Sequence, residues 1–201
     1  SRSGIARQWD KNTVDPAEDY SVSFSVRFDD LTDFNATSTS NPVVFGATTA
    51  DRSNGAISQG TSLWLIQISR TNGWSVVHKK TGDASASTFY FGSDNISFTE
   101  DTVYELKVDV LSSIGKYDVT INGVSASSLN GGVLFNLGDG AVSDFTWINW
   151  QTSMASLPAS GVSLTYNIGD VTIQSIPESG TVGMAFGAFL TVAFSLYKSR
   201  R

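Results

Sequence analysis

The 201-residue chain reads as an all-β protein of many short strands, with one apolar segment set apart at its C-terminal end. Three observations carry this reading. First, residues 20–28 alternate strictly: Tyr20, Val22, Phe24, Val26 and Phe28 fall on one side, Ser21, Ser23, Ser25 and Arg27 on the other. A period of two with aromatic and β-branched residues on one face marks a half-buried strand. Second, turn formers punctuate the chain at Asn54-Gly55, Asn72-Gly73, Thr81-Gly82-Asp83, Asn122-Gly123 and Gly138-Asp139-Gly140. These residues adopt the positive φ or side-chain-capped geometries that reverse a strand. Third, no long helical period precedes residue 181.

The elements follow in order. After 20–28 and a polar loop at 37–41, strands are predicted at 42–48 and 62–69. In the latter, Trp64 keeps phase with Ile66 and Ile68 and is expected in the core. Strands at 74–79 and 88–92 come next, then 103–111 and 116–121, joined by the loop Ser112-Ser113-Ile114-Gly115. Asn122-Gly123 is the strongest turn signal, because both residues tolerate the positive φ of a type I′ hairpin. Strands at 124–127, 145–150, 162–166 and 170–176 complete the set, with a second polar loop at 155–161. Short strands separated by turns, without intervening helices, predict two packed antiparallel sheets over residues 1–176. Phe24, Val26, Leu106, Val108, Val119 and Ile121 are the expected core.

Three stretches resemble the concanavalin A-like jelly roll in its laminin-G-like branch. Asp19-Tyr20-Ser21-Val22-Ser23-Phe24 is similar to the first core strand of that family. Residues 103–108, followed by Lys116-Tyr117-Asp118-Val119-Thr120-Ile121-Asn122-Gly123, resemble its central hairpin. Asn167-Ile168-Gly169-Asp170-Val171-Thr172-Ile173 resembles the closing strand, often Ile-Asp-Asp-Val-x-Ile. The likeness covers roughly residues 5–176 and implies a two-sheet antiparallel jelly-roll sandwich. Many such domains bind sugars, while others mediate protein contacts or serve only as structure. An immunoglobulin-like sandwich is the rival fold, although this domain is long for one such unit.

The C-terminal segment, 177–201, is treated apart from the fold. It runs from Pro177-Glu178-Ser179-Gly180 through an uncharged stretch, Thr181 to Tyr197, to Lys198-Ser199-Arg200-Arg201. As a helix that stretch spans roughly 25 Å, close to a bilayer core of ~30 Å. Tyr197 suits an interface, and Lys198, Arg200 and Arg201 would stay on the cytoplasmic side. The order of motif, apolar run and basic end resembles the PEP-CTERM sorting signal of bacterial exported proteins. Here Ser179 replaces the second proline of the motif. The resemblance implies export, an exosortase-like processing enzyme as partner, cleavage near Pro177-Glu178-Ser179 and a cell-surface destination. A plain tail anchor is the alternative.

Composition bounds the rest. The chain has no Cys, so neither a disulfide framework nor thiol chemistry is available. Net charge is −6, and the tail sets Glu178 against Lys198, Arg200 and Arg201, which leaves −8 on the domain. Such a domain offers no electrostatic footprint for nucleic acid. The chain begins at Ser1 without an apolar leader, which fits either a removed signal peptide or a fragment.

Candidate chemistry is sparse. His78 is the only histidine, so a His-rich zinc site is excluded, and no Gly-x-Ser-x-Gly elbow accompanies it. Jelly-roll glycosidases need two carboxylates across the scissile bond. The Glu-x-Asp-x-x-Glu pattern of the concanavalin A-like glucanases does not occur, and Glu105 and Asp109, with Lys107 between them, read as a solvated outer face. The sequence is therefore read as non-catalytic, with a divergent polysaccharide hydrolase or a purely adhesive surface protein as alternatives. No cofactor is certain; Ca²⁺ would need oxygen ligands on adjoining loops, for which Asp139 and Asp144 are the best candidates. A glycan would use aromatic faces and amides. Ile148 and Trp150 are assigned to the core, which puts Trp147, Asn149 and Gln151 toward solvent or a groove. Trp74 is a further candidate for the ligand site. The expectation is an exported surface or matrix protein with affinity for polysaccharide.

Overall fold

A computed structural model describes residues 2–31, 43–52, 57–69, 71–79, 86–138, 142–153 and 166–177. In chain order the strands are β1 (Arg2–Gln8), β2 (Tyr20–Phe28), β3 (Val43–Thr48), β4 (Ser62–Ser69), β5 (Gly73–Lys79), β6 (Ala86–Tyr90) and β7 (Val103–Leu111). They continue with β8 (Lys116–Ile121), β9 (Val124–Ser125), β10 (Phe135–Asn136), β11 (Trp147–Ser153), β12 (Tyr166–Ile168) and β13 (Thr172–Ser175). The one α-helix among the described residues is the single turn α1 (Ala126–Leu129).

The strands form two antiparallel sheets. One runs β1-β11-β3-β4-β5-β6, the other β10-β8-β7-β2-β12, with β13 also paired to β2 and β9 to β8. The fold is an all-β sandwich, as the alternation predicts. The central pair of the second sheet is β2 with β7, where Phe24 lies opposite Leu106 and Val22 opposite Val108. All six expected core residues are buried. Phe24 reaches across to the other sheet and meets Trp150 edge-on at 5.5 Å and Phe45 at 5.8 Å. Aromatic pairs in this geometry contribute about 0.5–1.5 kcal/mol beyond the area they bury.

The turn between β8 and β9 shows how local sequence fixes register. Asn122 and Gly123 have φ of 49° and 81°, both in the left-handed region that a type I′ turn demands. Asn122 Oδ1 also accepts the Glu105 backbone N–H at 2.7 Å, and the Asn122 N–H donates to the Glu105 carbonyl at 2.8 Å. The closing edge is one strand path broken at Gly169, whose N–H donates to the Ser25 carbonyl at 2.9 Å. A Cβ there would land on the Ser25 hydroxyl, so the glycine permits close approach to β2.

Several expectations shift. The strand expected at 124–127 shortens to β9 because Ser125 caps α1, its Oγ accepting the Ser128 N–H at 3.1 Å. The strand expected at 145–150 begins two residues later, since 142–144 form a 3₁₀ turn. Strands β1 and β10 were not expected. The apolar run Thr181 to Tyr197, the motif residues Glu178 and Ser179, the basic end Lys198, Arg200 and Arg201, and Asp139 lie outside the described residues. Pro177 is described and exposed. Among the described residues, no helix is long and apolar enough to cross a membrane.

Candidate functional site

The outer face of the six-stranded sheet decides the fate of three sequence candidates. In β11, Ile148 and Trp150 point into the core, as expected. Asn149 and Gln151 point the other way, yet they are buried rather than open to solvent or a groove. The chain leaving β3 folds back across them, and its backbone groups need partners once water is excluded. Asn149 Oδ1 accepts the Arg52 N–H at 2.8 Å, and its amide donates to Thr48 Oγ1 at 2.7 Å. The Gln151 amide donates to the Arg52 carbonyl at 2.9 Å, and its Oε1 accepts the Ile57 N–H at 3.3 Å. Both side chains are anchors for this segment, and their expected role as exposed sugar ligands is corrected. Ile57 then closes a small apolar cluster with Val44, Leu65 and Val77. Gly46 leaves the room that Ile57 fills, since a Cβ would sit 3.3 Å from its side chain.

Trp74 is also corrected. It is 1% exposed and packs against Phe28, Phe45, Phe98 and Tyr104 in the core. Core phase in β5 explains this: Trp74 lies opposite Ile68, and Val76 opposite Ile66. Trp147 is half-buried between Gln8 and Thr48 in the sheet. His78 is half-buried with its ring 5.0 Å from that of Phe135. On the other sheet Lys107 pairs with Asp109 at 2.8 Å on a polar outer face, as expected.

An open groove lies at the corner where β1 meets the start of β11. It measures about 870 Å³ and is bounded by Trp9, Asp10, Lys11, Asn12, Thr49 and Asp144, among others. Local bonding builds it. The Trp9 N–H donates to the Thr146 carbonyl at 3.1 Å and extends the β1–β11 pairing by one residue. Its indole N–H donates to the Val14 carbonyl at 3.2 Å, and its ring leans on Tyr20 at 5.8 Å. The half-buried indole is therefore fixed. Asp10 shapes the turn that follows, its Oδ1 accepting the backbone and side-chain N–H groups of Asn12 at 2.9 and 2.8 Å. Asp144 ends the 3₁₀ turn, and its carbonyl accepts the Thr146 N–H at 3.1 Å. The groove thus joins one immobilised aromatic with two carboxylates, an ammonium, two amides and three hydroxyls. This mixture suits a hydroxyl-rich ring.

Of the sequence candidates among the described residues, only Asp144 lies in this groove. Among the described residues no three His, Cys, Asp or Glu side chains gather in a metal-binding group. Trp9, Asp10, Lys11 and Thr49 went unread. The available signal was a tryptophan directly before the turn-forming run Asp10-Lys11-Asn12-Thr13, which places an aromatic at a sheet end.

No family model and no curated protein matches the chain. Solved structures do. A sialidase aligns at TM-score 0.50 and 10% identity, over 87% of this chain and 14% of its own. A family 7 alginate lyase aligns at TM-score 0.48 and 13% identity, over 86% of this chain and 65% of its own. A tetrameric galectin from the ball sponge Cinachyrella sp. aligns at TM-score 0.44 and 11% identity, over 85% of this chain and 98% of its own. The chain thus spans less than two thirds of the sialidase and of the lyase. At these identities the likeness concerns the fold. It does overturn the expectation of a non-enzyme: solved structures similar to this sandwich include enzymes. The missing Glu-x-Asp-x-x-Glu excludes one arrangement of carboxylates and not catalysis as such.

Proposed function

We propose that the protein is a carbohydrate-engaging sandwich of the jelly-roll class, exported and displayed at the cell surface. The observation that carries the first part is the groove beside Trp9, where a fixed indole shares a wall with Lys11, Asn12 and Thr49. Carbohydrate-related neighbours of similar fold, a sialidase, an alginate lyase and a galectin among them, support the substrate class. The order of Pro177-Glu178-Ser179, apolar run and basic end supports export and exosortase-like processing. A glycan array probed with the full chain, with and without Ca²⁺, tests the reading. Retention of one polysaccharide class supports it, and an array without signal in either condition contradicts it. Membrane fractionation tests the tail: full-length chain found soluble with residues 177–201 intact contradicts both anchoring and sorting.

A second reading makes the same groove a site of polysaccharide cleavage. Asp10 and Asp144 both line it, and two carboxylates across a groove are what glycoside hydrolysis requires. Release of reducing ends from the glycan that the array identifies, lost in Asp144→Asn, supports this reading. A bound glycan that stays intact on prolonged incubation contradicts it.

A further inference from the structure

A second groove, of about 430 Å³, opens at another corner of the six-stranded sheet. Tyr90, at the end of edge strand β6, forms one wall and is 44% exposed. Leu31, Ile96 and Phe98 also line it, the first two nearly fully buried. Thr71 and Asn72 stand on the rim, exposed, with side chains that make no hydrogen bond among the described residues. Both rims are held in place. Ser69 Oγ accepts the N–H groups of Thr71 and Asn72 at 3.3 and 3.2 Å. Opposite, the Asn95 amide donates to the Phe91 carbonyl at 2.7 Å, and the N–H groups of Asn95 and Ile96 converge on the Gly92 carbonyl at 3.2 and 3.1 Å. No charged residue is among the described residues that line the groove. An open aromatic, exposed hydroxyl and amide groups and a fixed rim match the apolar face and hydroxyl edge of a pyranose.

The two grooves lie far apart, as strand register shows. The groove beside Trp9 sits where Gln8, Trp147 and Thr48 align, on the β1 side. The second sits at the opposite strand ends, where Ser69 pairs with Gly73, on the β6 side. About three strand spacings sideways and several residues lengthwise separate their centres, on the order of 25 Å. A short oligosaccharide cannot fill both.

We propose that the Tyr90 corner is a second sugar site that stacks a hexose on the Tyr90 ring, and that one molecule therefore joins two glycan strands. This rests on the carbohydrate reading of the Trp9 groove. Isothermal titration of the full chain, held in a zwitterionic detergent that carries no sugar, tests it. The probes are neutral gluco-, manno- and galacto-trisaccharides. The expected result is two sites per chain for at least one probe. Tyr90→Ala with Asn72→Ala should abolish one site, and Gln8→Ala with Lys11→Ala should weaken the other severalfold. Thr71→Val, a change at one exposed rim hydroxyl, should weaken the Tyr90 site alone and guards against a folding defect in the double variant. A single site untouched by the Tyr90 corner variants overturns the second site and leaves the Trp9 groove standing. Two sites that survive both corner variants also overturn it. Binding lost only with the Tyr90 variants overturns bivalency, and the absence of binding to every probe overturns the Tyr90 site; the array decides the Trp9 groove separately.

Discussion

Asn149 holds Arg52: its Oδ1 accepts the Arg52 backbone N–H at 2.8 Å from a fully buried position on the outer sheet face. That bond, with the amide bond to Thr48 Oγ1, ties the segment after β3 to β11. Asn149→Ala strands a backbone donor and a hydroxyl beneath that segment. Stability should fall by about 1–3 kcal/mol, the cost of leaving buried groups unpaired. Urea denaturation checks this. An unchanged midpoint would mean that water reaches the face and that the amide is not an anchor.

Asn122 serves the hairpin twice, through its positive φ of 49° and its 2.7 Å bond to the Glu105 N–H. Asn122→Gly keeps the first contribution and loses the second. Asn122→Ala loses both. The alanine variant should therefore be the less stable of the two, with the pair differing by about 1 kcal/mol, the scale of left-handed backbone strain. Thermal melts that rank glycine at or below alanine would contradict this account of the turn.

Three phenols should make the fold sensitive to alkali. Burial pushes the hydroxyls of Tyr20, Tyr117 and Tyr166 well above the ordinary phenol range. The neighbouring Trp64 partly offsets this for Tyr20. Tyr117 keeps its proton for the Val77 carbonyl, to which it donates at 2.9 Å. The folded state holds these protons to higher pH than the unfolded chain, whose phenols ionise near about 10. Stability is therefore fully present below that pH and falls as pH rises through and beyond it. Melting temperatures from pH 8 to 11.5 should be level and then drop. Tyr117→Phe should flatten the decline, and a profile level throughout would contradict it.

The sequence revealed the sheets better than the site, for physical reasons. The alternation at Tyr20–Phe28 is a direct imprint of one buried face, and the apolar run within Ser62–Ser69 of a strand covered on both faces, so both strands were legible to the residue. Arg2–Gln8 carries no such imprint because β1 is an edge strand with Ile5 57% exposed; only its pairing with β11 makes it a strand. Periodicity also placed Asn149 and Gln151 on the outer face correctly. It could not say that Arg52 and Ile57, distant in sequence, would cover them. The Trp74 environment was ambiguous because both faces of β5 carry apolar residues, Trp74 and Val76 inward and Val77 outward. The groove beside Trp9 joins three segments remote in sequence, the ends of β1 and β3 and the start of β11, so no local pattern announced it.

The most direct test of the carbohydrate reading compares the two tryptophans of the β1–β11 corner. Trp9 lines the groove, while Trp147 pairs beside it in the sheet without lining it. Trp9→Ala and Trp147→Ala are titrated with the glycan that the array selects, after circular dichroism establishes that each remains folded. The account predicts that Trp9→Ala weakens binding by roughly 1–3 kcal/mol, the scale of losing a central aromatic contact, while Trp147→Ala leaves affinity within a factor of about two. Full affinity in a folded Trp9→Ala protein would contradict it.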